Sequence, residues 1–332
     1  MKIAIVGAGV SGLCAAYFLL KRDPNARVVV FEKSPSVGGR MSTRRLTNNV
    51  AIDTGCQFLS IDDEHLKELF LEIAPSESLR ELPYPILCLP EGWVVEPAQR
   101  YYFTDGMATW SERLLARLKD YGPRFEIRFE SPVRDGDALW KEGFDAAFVS
   151  APGPQAESFG QNEPVEYRPC LNLTFAWKDP PVETAEIFAY RDTSGRKGLG
   201  WLAHEGLKRG QSEIWVAQLD PEASLEWYRD GQNTLDHIED LLEKDLADWV
   251  PLFKKGSKTL LDLKFWKHAF PLSGLDPSRQ HGFERRDAVD GRPVFFIGDG
   301  HLGVGRAENA MESARRAVES FLNASPSQTK NA

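Results

Sequence analysis

Residues 2–22 read KIAIVGAGVSGLCAAYFLLKR, and the three glycines inside this stretch dictate how the chain must run. Ile3–Val6 is a continuous apolar run, the pattern of a strand covered on both faces. Gly7, Gly9 and Gly12 follow at G-x-G-x-x-G spacing, and LCAAYFLLKR continues as a helix. A strand whose end turns through glycines into a helix is the setting in which this spacing binds a dinucleotide. Gly7 permits the tight turn, Gly9 lets the backbone approach a pyrophosphate, and Gly12 lets helix and strand pack closely. The helix N-terminus then faces the phosphate charge. The apolar residues up to Leu20 also resemble a secretory leader, but the glycines break that pattern.

The next segment extends the motif. ARVVVFEKS supplies a second strand ending in Glu32, twenty positions beyond Gly12. Its carboxylate can accept hydrogen bonds from an adenosine ribose and would repel a 2′-phosphate. SVGGRMST places Gly38, Gly39 and Arg40 on a loop beyond that strand, with Arg44 and Arg45 close behind. Two glycines permit close backbone approach and an arginine can bond a phosphate. A glycine-rich turn of another α/β protein and a solvated Arg40 are the plainer alternatives.

Composition narrows the functional classes. The 332 residues are enough for one large or two medium domains with a buried core. A formal charge of −9 argues against a general nucleic-acid or anionic-membrane binder, so an anionic ligand must meet local arginines. Cys14, Cys56, Cys88 and Cys170 are scattered without a CxxC pair, which points to a reduced cytoplasmic setting and no structural zinc. The histidines lack metal-ligand spacing, and no metal site is expected. No stretch has the ~18 apolar residues of a membrane span.

Further along, HLKELFLEIA and MATWSERLLARL read as helices. LPYPILCLPEGWVVEP, QRYYFTDG, FEIRFESPV and FDAAFVSAPGPQA contain strands. Residues 165–270 read as strands around one or two helices, one of them TLDHIEDLLEKDLADWV, and NASPSQTKNA reads as a frayed tail. PVFFIGDG is again an apolar strand ending in glycines, able to rejoin the N-terminal sheet. Asp299 there can alternatively be a plain helix cap.

GAGVSG…FEKSPSVGGRMS resembles the GGR-containing flavoproteins of the flavin amine oxidase superfamily, which bind FAD. GGRMSTRR, AIDTGCQFLS, FTDGMATWSERL, VSAPGPQA, FWKHAFP and IGDGHLGVGRAENAMESA, in this order, are similar to the renalase-like branch. The resemblance implies an α/β fold: a Rossmann-type FAD-binding domain with an interleaved substrate domain on a mixed or antiparallel sheet. It implies FAD-binding segments 1–60, 104–152 and 285–325, substrate segments 61–103 and 153–284, and a disordered tail 326–332. It implies non-covalent FAD contacted by Gly7, Gly9, Ser11, Gly12, Glu32, Lys33, Gly39, Arg40, Met41, Val133, Gly298, Asp299 and Arg306. Ala307, Glu308 and Asn309 complete that set at a helix whose amino end faces the flavin pyrimidine, where its partial positive charge stabilises a reduced ring.

The implied activity is oxidation of 2- or 6-dihydro-NAD(P) to NAD(P) by hydride transfer to flavin, with O2 forming H2O2. The implied partners are that dinucleotide and O2, with no nucleic acid and no membrane, in a monomer or homodimer. Three departures weigh against an ordinary amine oxidase. No cysteine follows Cys170 to tether the flavin, Asn172 stands where a lysine is usual, and Arg306 replaces a tyrosine. A permanent cation there would repel an ammonium substrate but can hold a carboxamide, a phosphate or an anionic reduced flavin. Arg306 is therefore a candidate catalytic residue, with a solvated or core-paired arginine as the alternative. Gln57 is the other candidate, able to bond the isoalloxazine edge or a nicotinamide carboxamide, or to be an ordinary supporting amide. His268, His301 and His204 have no required acid–base role, because hydride transfer from a dihydropyridine needs no proton abstraction. An oxidase or desaturase of a small amine or isoprenoid-like substrate, and a flavin-containing binding protein without turnover, are the competing functions.

Overall fold

The computed structural model describes residues 1–46, 50–95, 99–152, 154–161, 165–180, 184–195, 197–211, 213–230, 257–272, 282–288 and 291–324. The helix expected over 234–250 and the tail 326–332 lie outside them. The first half of the chain forms β1 (Lys2–Val6), β2 (Arg27–Phe31), β3 (Arg44–Arg45), β4 (Ala51–Ile52) and β5 (Leu79–Glu81). It continues through β6 (Ile86–Leu89), β7 (Val94–Val95), β8 (Tyr101–Phe103), β9 (Phe125–Arg128) and β10 (Ala146–Val149). The second half adds β11 (Tyr167–Trp177), β12 (Ala189–Asp192), β13 (Leu199–Ala203) and β14 (Ile214–Leu219). Last come β15 (Lys258–Pro271), β16 (Glu284–Asp287) and β17 (Pro293–Phe296).

Two main sheets result. The first runs β16-β17-β10-β1-β2-β9 and is parallel except for β16. β17 returns from residues 293–296 to pair beside β10, and both it and β1 after Lys2 are apolar because the sheet is covered on both sides. One face packs on α1 (Val10–Arg22), α3 (Ala108–Lys119) and the C-terminal helix α5 (Ala307–Ala324), with Phe148 stacked on Phe295 at 4.9 Å between ring centres. Phe31, Phe144, Val149 and Phe296 fill the other face.

The second sheet runs β15-β11-β14-β13-β12-β6-β7 and is antiparallel apart from the β12–β6 pair, so it is mixed. Its strands alternate. Leu171, Leu173 and Phe175 of β11 and Trp215, Ala217 and Leu219 of β14 enter one core, against which α4 (Pro221–Asp230) lies. Of the intervening residues, Asn172 and Gln218 line the cleft between the two sheets. α2 (Glu64–Ile73) opens on Asp63, whose side chain accepts from the Leu66 N–H, and buries Leu66, Leu69, Phe70 and Ile73 in the core of the first sheet. That part of residues 61–103 thus packs with the dinucleotide-binding layer, while β6 and β7 from the same stretch join the second sheet.

Among the described residues no helix is long and apolar enough to cross a membrane, and no His/Cys/Asp/Glu group is arranged to hold a metal ion.

Candidate functional site

The glycine turn has three different jobs. Gly7 adopts φ +102°, accessible to glycine at little cost, and its N–H bonds the Phe31 carbonyl. A Cβ on Gly12 would lie 2.0 Å from the Gly7 carbonyl oxygen, so only glycine lets α1 approach β1 this closely. A Cβ on Gly9 would meet nothing within 4 Å: this side of the backbone is open. Gly9 is also the N-cap of α1 and no side chain caps that end, which leaves helix N–H groups for a ligand anion. Ser11 bonds Ser150 at 2.7 Å at the β10 end.

Glu32 is buried, and both carboxylate oxygens accept backbone N–H bonds, from Ala8 at 2.7 Å and Ser34 at 2.8 Å. Each oxygen keeps a lone pair for a further donor. Gly7, Gly9, Ser11, Glu32, Lys33, Gly39, Met41, Val133 and Gly298 all line the cleft, whereas Gly12 acts only in packing.

Arg40 and Asp299 were each expected to meet the cofactor. Both line the cleft, and there they meet one another. Arg40 forms a bidentate pair with Asp299 at 2.6 and 2.7 Å and also donates to the Ala269 carbonyl at 2.9 Å. Asp299 further accepts from the Gly300 N–H and, more distantly, from the Tyr167 hydroxyl. Burial opposes the charge of Arg40, but the Asp299 carboxylate outweighs it and raises the guanidinium pKa. Burial first, and Asp299 next, raise the Tyr167 phenol as well, so it stays neutral. The pair fastens the GGR loop to the 3-10 turn that follows β17; Arg40 nevertheless stays about one-third exposed, at 35%, on the cleft wall.

The side chains of Glu308 and Asn309 are engaged elsewhere. Glu308 turns away to accept the N–H groups of Asp62 and Asp63 at the head of α2, and Asn309 donates to the Val304 carbonyl. Neither lines the cleft, while Ala307 and Ala310 of the same helix do. Arg306 also lines it, but its half-exposed guanidinium is drawn to Asp62 at 3.0 Å and Glu308 at 3.7 Å, an exposed pair worth ~0–1 kcal/mol.

Gln57 is buried at the cleft wall. Its Oε1 accepts from Trp201 Nε1 at 2.8 Å. Indole N–H is donor-only, which fixes the amide and presents Nε2, and Nε2 has no hydrogen-bond partner among the described residues. An unpaired buried donor costs ~1–3 kcal/mol, a cost a ligand acceptor removes.

The backbone carbonyl of Gln57 accepts from Lys208 Nζ at 2.8 Å, the edge of a charge cluster that sequence reading missed. Asp53 and Glu205 face Lys208 and Arg209 at 2.5–2.7 Å, with Lys208, Asp53 and Glu205 all but fully buried. Burial pushes the Asp53 carboxyl up, but Lys208 and Arg209 outweigh it and hold it down to about 2. Glu205 moves up, by burial first, and its Oε2 has no hydrogen-bond partner among the described residues. The signal was present: EGLKR puts Lys208 and Arg209 three and four positions after Glu205, and its partner Asp53 lies in the quoted AIDTGCQF.

The lining of the cleft, about 1940 Å³ in volume, is basic although the chain is acidic: nine of its charged residues are Lys or Arg and four are Asp or Glu. Lys33, Arg134, Arg168, Arg191, Lys264 and Lys267 form no ion pair with a carboxylate among the described residues. Burial, then Lys267, Lys33 and Arg40, lower the pKa of His268 on the same wall.

Fold and cradle together define a Rossmann-type dinucleotide-binding protein with a second, mixed-sheet layer. Comparison with known proteins is consistent with this. Residues 5–73 match the sequence family described as NAD(P)-binding Rossmann-like domain. A 44-residue stretch is 49% identical to coproporphyrinogen III oxidase of Staphylococcus aureus, covering 13% of this chain and 9% of that protein. A 51-residue stretch is 43% identical to protoporphyrinogen oxidase of Saccharomyces cerevisiae, covering 14% and 10%. The chain thus matches only about a tenth of the length of these relatives. Over almost its whole length it shares the fold of a putative protoporphyrinogen oxidase from Exiguobacterium sp. 255-15, with TM-score 0.71, 14% identity and 96% and 98% coverage. Putrescine oxidase bound to putrescine is similar too, with TM-score 0.63, 13% identity and 97% and 99% coverage.

Proposed function

We propose that the protein holds FAD non-covalently in the glycine cradle and oxidises dihydronicotinamide dinucleotides reduced at the 2 or 6 position. The net change is dihydronicotinamide, O2 and a proton giving nicotinamide and H2O2. The open face of Gly9, the uncapped N-terminus of α1, the Glu32 carboxylate and Gln57 Nε2, which has no partner among the described residues, fit such a cofactor. Bound FAD supplies the two-electron acceptor. Non-covalent binding is supported by Cys56, whose thiol on the cleft wall burial pushes up to about 12, leaving almost no thiolate at neutral pH.

The observation that carries the substrate class is the excess of cations lining the cleft. It favours a pyrophosphate-bearing substrate and opposes an ammonium one, through like-charge repulsion in a low-dielectric setting. Arg306 at the rim can hold a phosphate or carboxamide once it leaves Asp62. Binding and orientation suffice for the transfer, and no side chain need abstract a proton.

The test is anaerobic mixing of the FAD-loaded protein with mixed dihydro-NAD isomers, or with benzylamine or putrescine, while flavin absorbance is followed. Bleaching by the isomers alone is expected. In Arg306→Met the rate with isomers should fall about ten- to a hundred-fold, as for one lost charged hydrogen bond. Bleaching by an amine and not by the isomers would replace this reading with the amine oxidase one.

A further inference from the structure

The second sheet presents a transverse row of side chains to the cleft. Arg191 of β12 is in register with Trp201 of β13, Trp201 with Gln218 of β14, Gln218 with Asn172 of β11, and Asn172 with Lys264 of β15. All five line the cleft, and their strand neighbours Tyr190, Leu202, Ala217, Leu171, Leu173 and Leu263 belong to the core on the opposite face. At ordinary strand spacing the row spans roughly 19 Å between its end Cα atoms. Its ends are cationic, its middle carries two amides beside an indole, and it contains no carboxylate.

The middle has an unmet demand. Asn172 is 1% exposed; its Nδ2 faces the Cys170 sulfur at 3.6 Å, while its Oδ1 has no partner among the described residues. Gln57, bonded to Trp201 of the same row, presents an unpaired Nε2. One atom needs a donor and the other an acceptor. A primary carboxamide offers both, from its NH2 and its carbonyl.

We propose that the row Arg191–Trp201–Gln218–Asn172–Lys264 is the specificity-determining floor of the substrate site: Asn172 selects for a carboxamide NH2, and the end cations take phosphate. This rests on the dinucleotide reading above and names how that substrate is told from others. The register explains why sequence reading did not find it: residues 172, 191, 201, 218 and 264 become neighbours only through strand pairing.

Calorimetric titration of the FAD-loaded protein with NAD and with its 3-acetylpyridine analogue, in which methyl replaces NH2, tests it. Wild type should prefer NAD by about ten- to a hundred-fold, the range for one buried hydrogen-bonding group left unpaired. Asn172→Ala should lose most of that preference by weakening NAD. Lys264→Met, at a partly exposed site that tolerates change, should weaken both ligands alike and flatten their salt dependence. Equal binding of the two ligands by wild type, or full preference retained in Asn172→Ala, overturns the assignment even when dihydro-NAD isomers reduce the flavin. If they do not reduce it, the functional reading falls and the assignment falls with it.

Discussion

Glu32 spends both oxygens on backbone N–H groups of the loops that bracket the cradle, so removing it acts on ligand and turn together. Glu32→Ala is expected to weaken FAD binding about ten- to a hundred-fold, the equivalent of ~1.5–3 kcal/mol for a charged acceptor, read by fluorescence titration of the apoprotein. Unchanged affinity would remove Glu32 from the site. Gly7, Gly9, Gly12 and Glu32 were legible because their chemistry is local: each acts within a strand, a turn and a helix that the spacing itself defines. The side-chain contacts of Glu308 and Asn309 were not legible, because motif position places a residue on a helix without fixing which way its side chain leaves it. Arg40 and Asp299 were found, but their mutual pairing depends on how two distant loops meet.

At the level of elements, the short 3-10 turn Glu205–Arg209 docks two cations and a carboxylate against Asp53 and ties the end of β13 to the segment after β4. Asp53 also accepts from Thr43 and from the Met107 N–H at the start of α3, so three other segments converge on one carboxylate. Lys208→Met leaves buried carboxylates without one of their two cations, and we expect a loss of ~3–5 kcal/mol, measured by urea unfolding. A loss below about 1 kcal/mol would show that the remaining arginine neutralises the cluster by itself. The helices and strands were readable from periodicity wherever an element has one apolar face, as α2 and α3 do. The meeting of such elements through buried charges was not, since a charged residue reads as surface until its partner is seen.

Across the whole molecule, a chain of net charge −9 concentrates positive charge in one cleft, and this sets how ligand binding responds to protons. His268 has its pKa lowered by burial and by Lys267, Lys33 and Arg40, so its neutral form persists below the ordinary value of about 6.5. A group depressed in this way contributes folding stability above that ordinary value and loses it as pH falls through the folded one. An anionic ligand offsets the neighbouring cations and moves the pKa back up. Binding of a dinucleotide should therefore take up protons slightly below pH ~6.5, and its affinity should rise as pH drops through that window. Titration in two buffers of different ionisation enthalpy measures the uptake; proton release would contradict it.

The ion pair between Arg40 and Asp299 joins positions 259 residues apart, and it has a consequence for how the protein is made. Synthesis delivers the glycine turn and Glu32 well before β17, Asp299 and the helix after it. A nascent or truncated chain ending before residue 293 displays half a cradle, lacks the strand beside β10, and leaves Arg40 without its carboxylate. On the FAD reading, the cradle is whole only once both partners of this pair have been made, so capture of the cofactor there waits for the synthesis of residue 299.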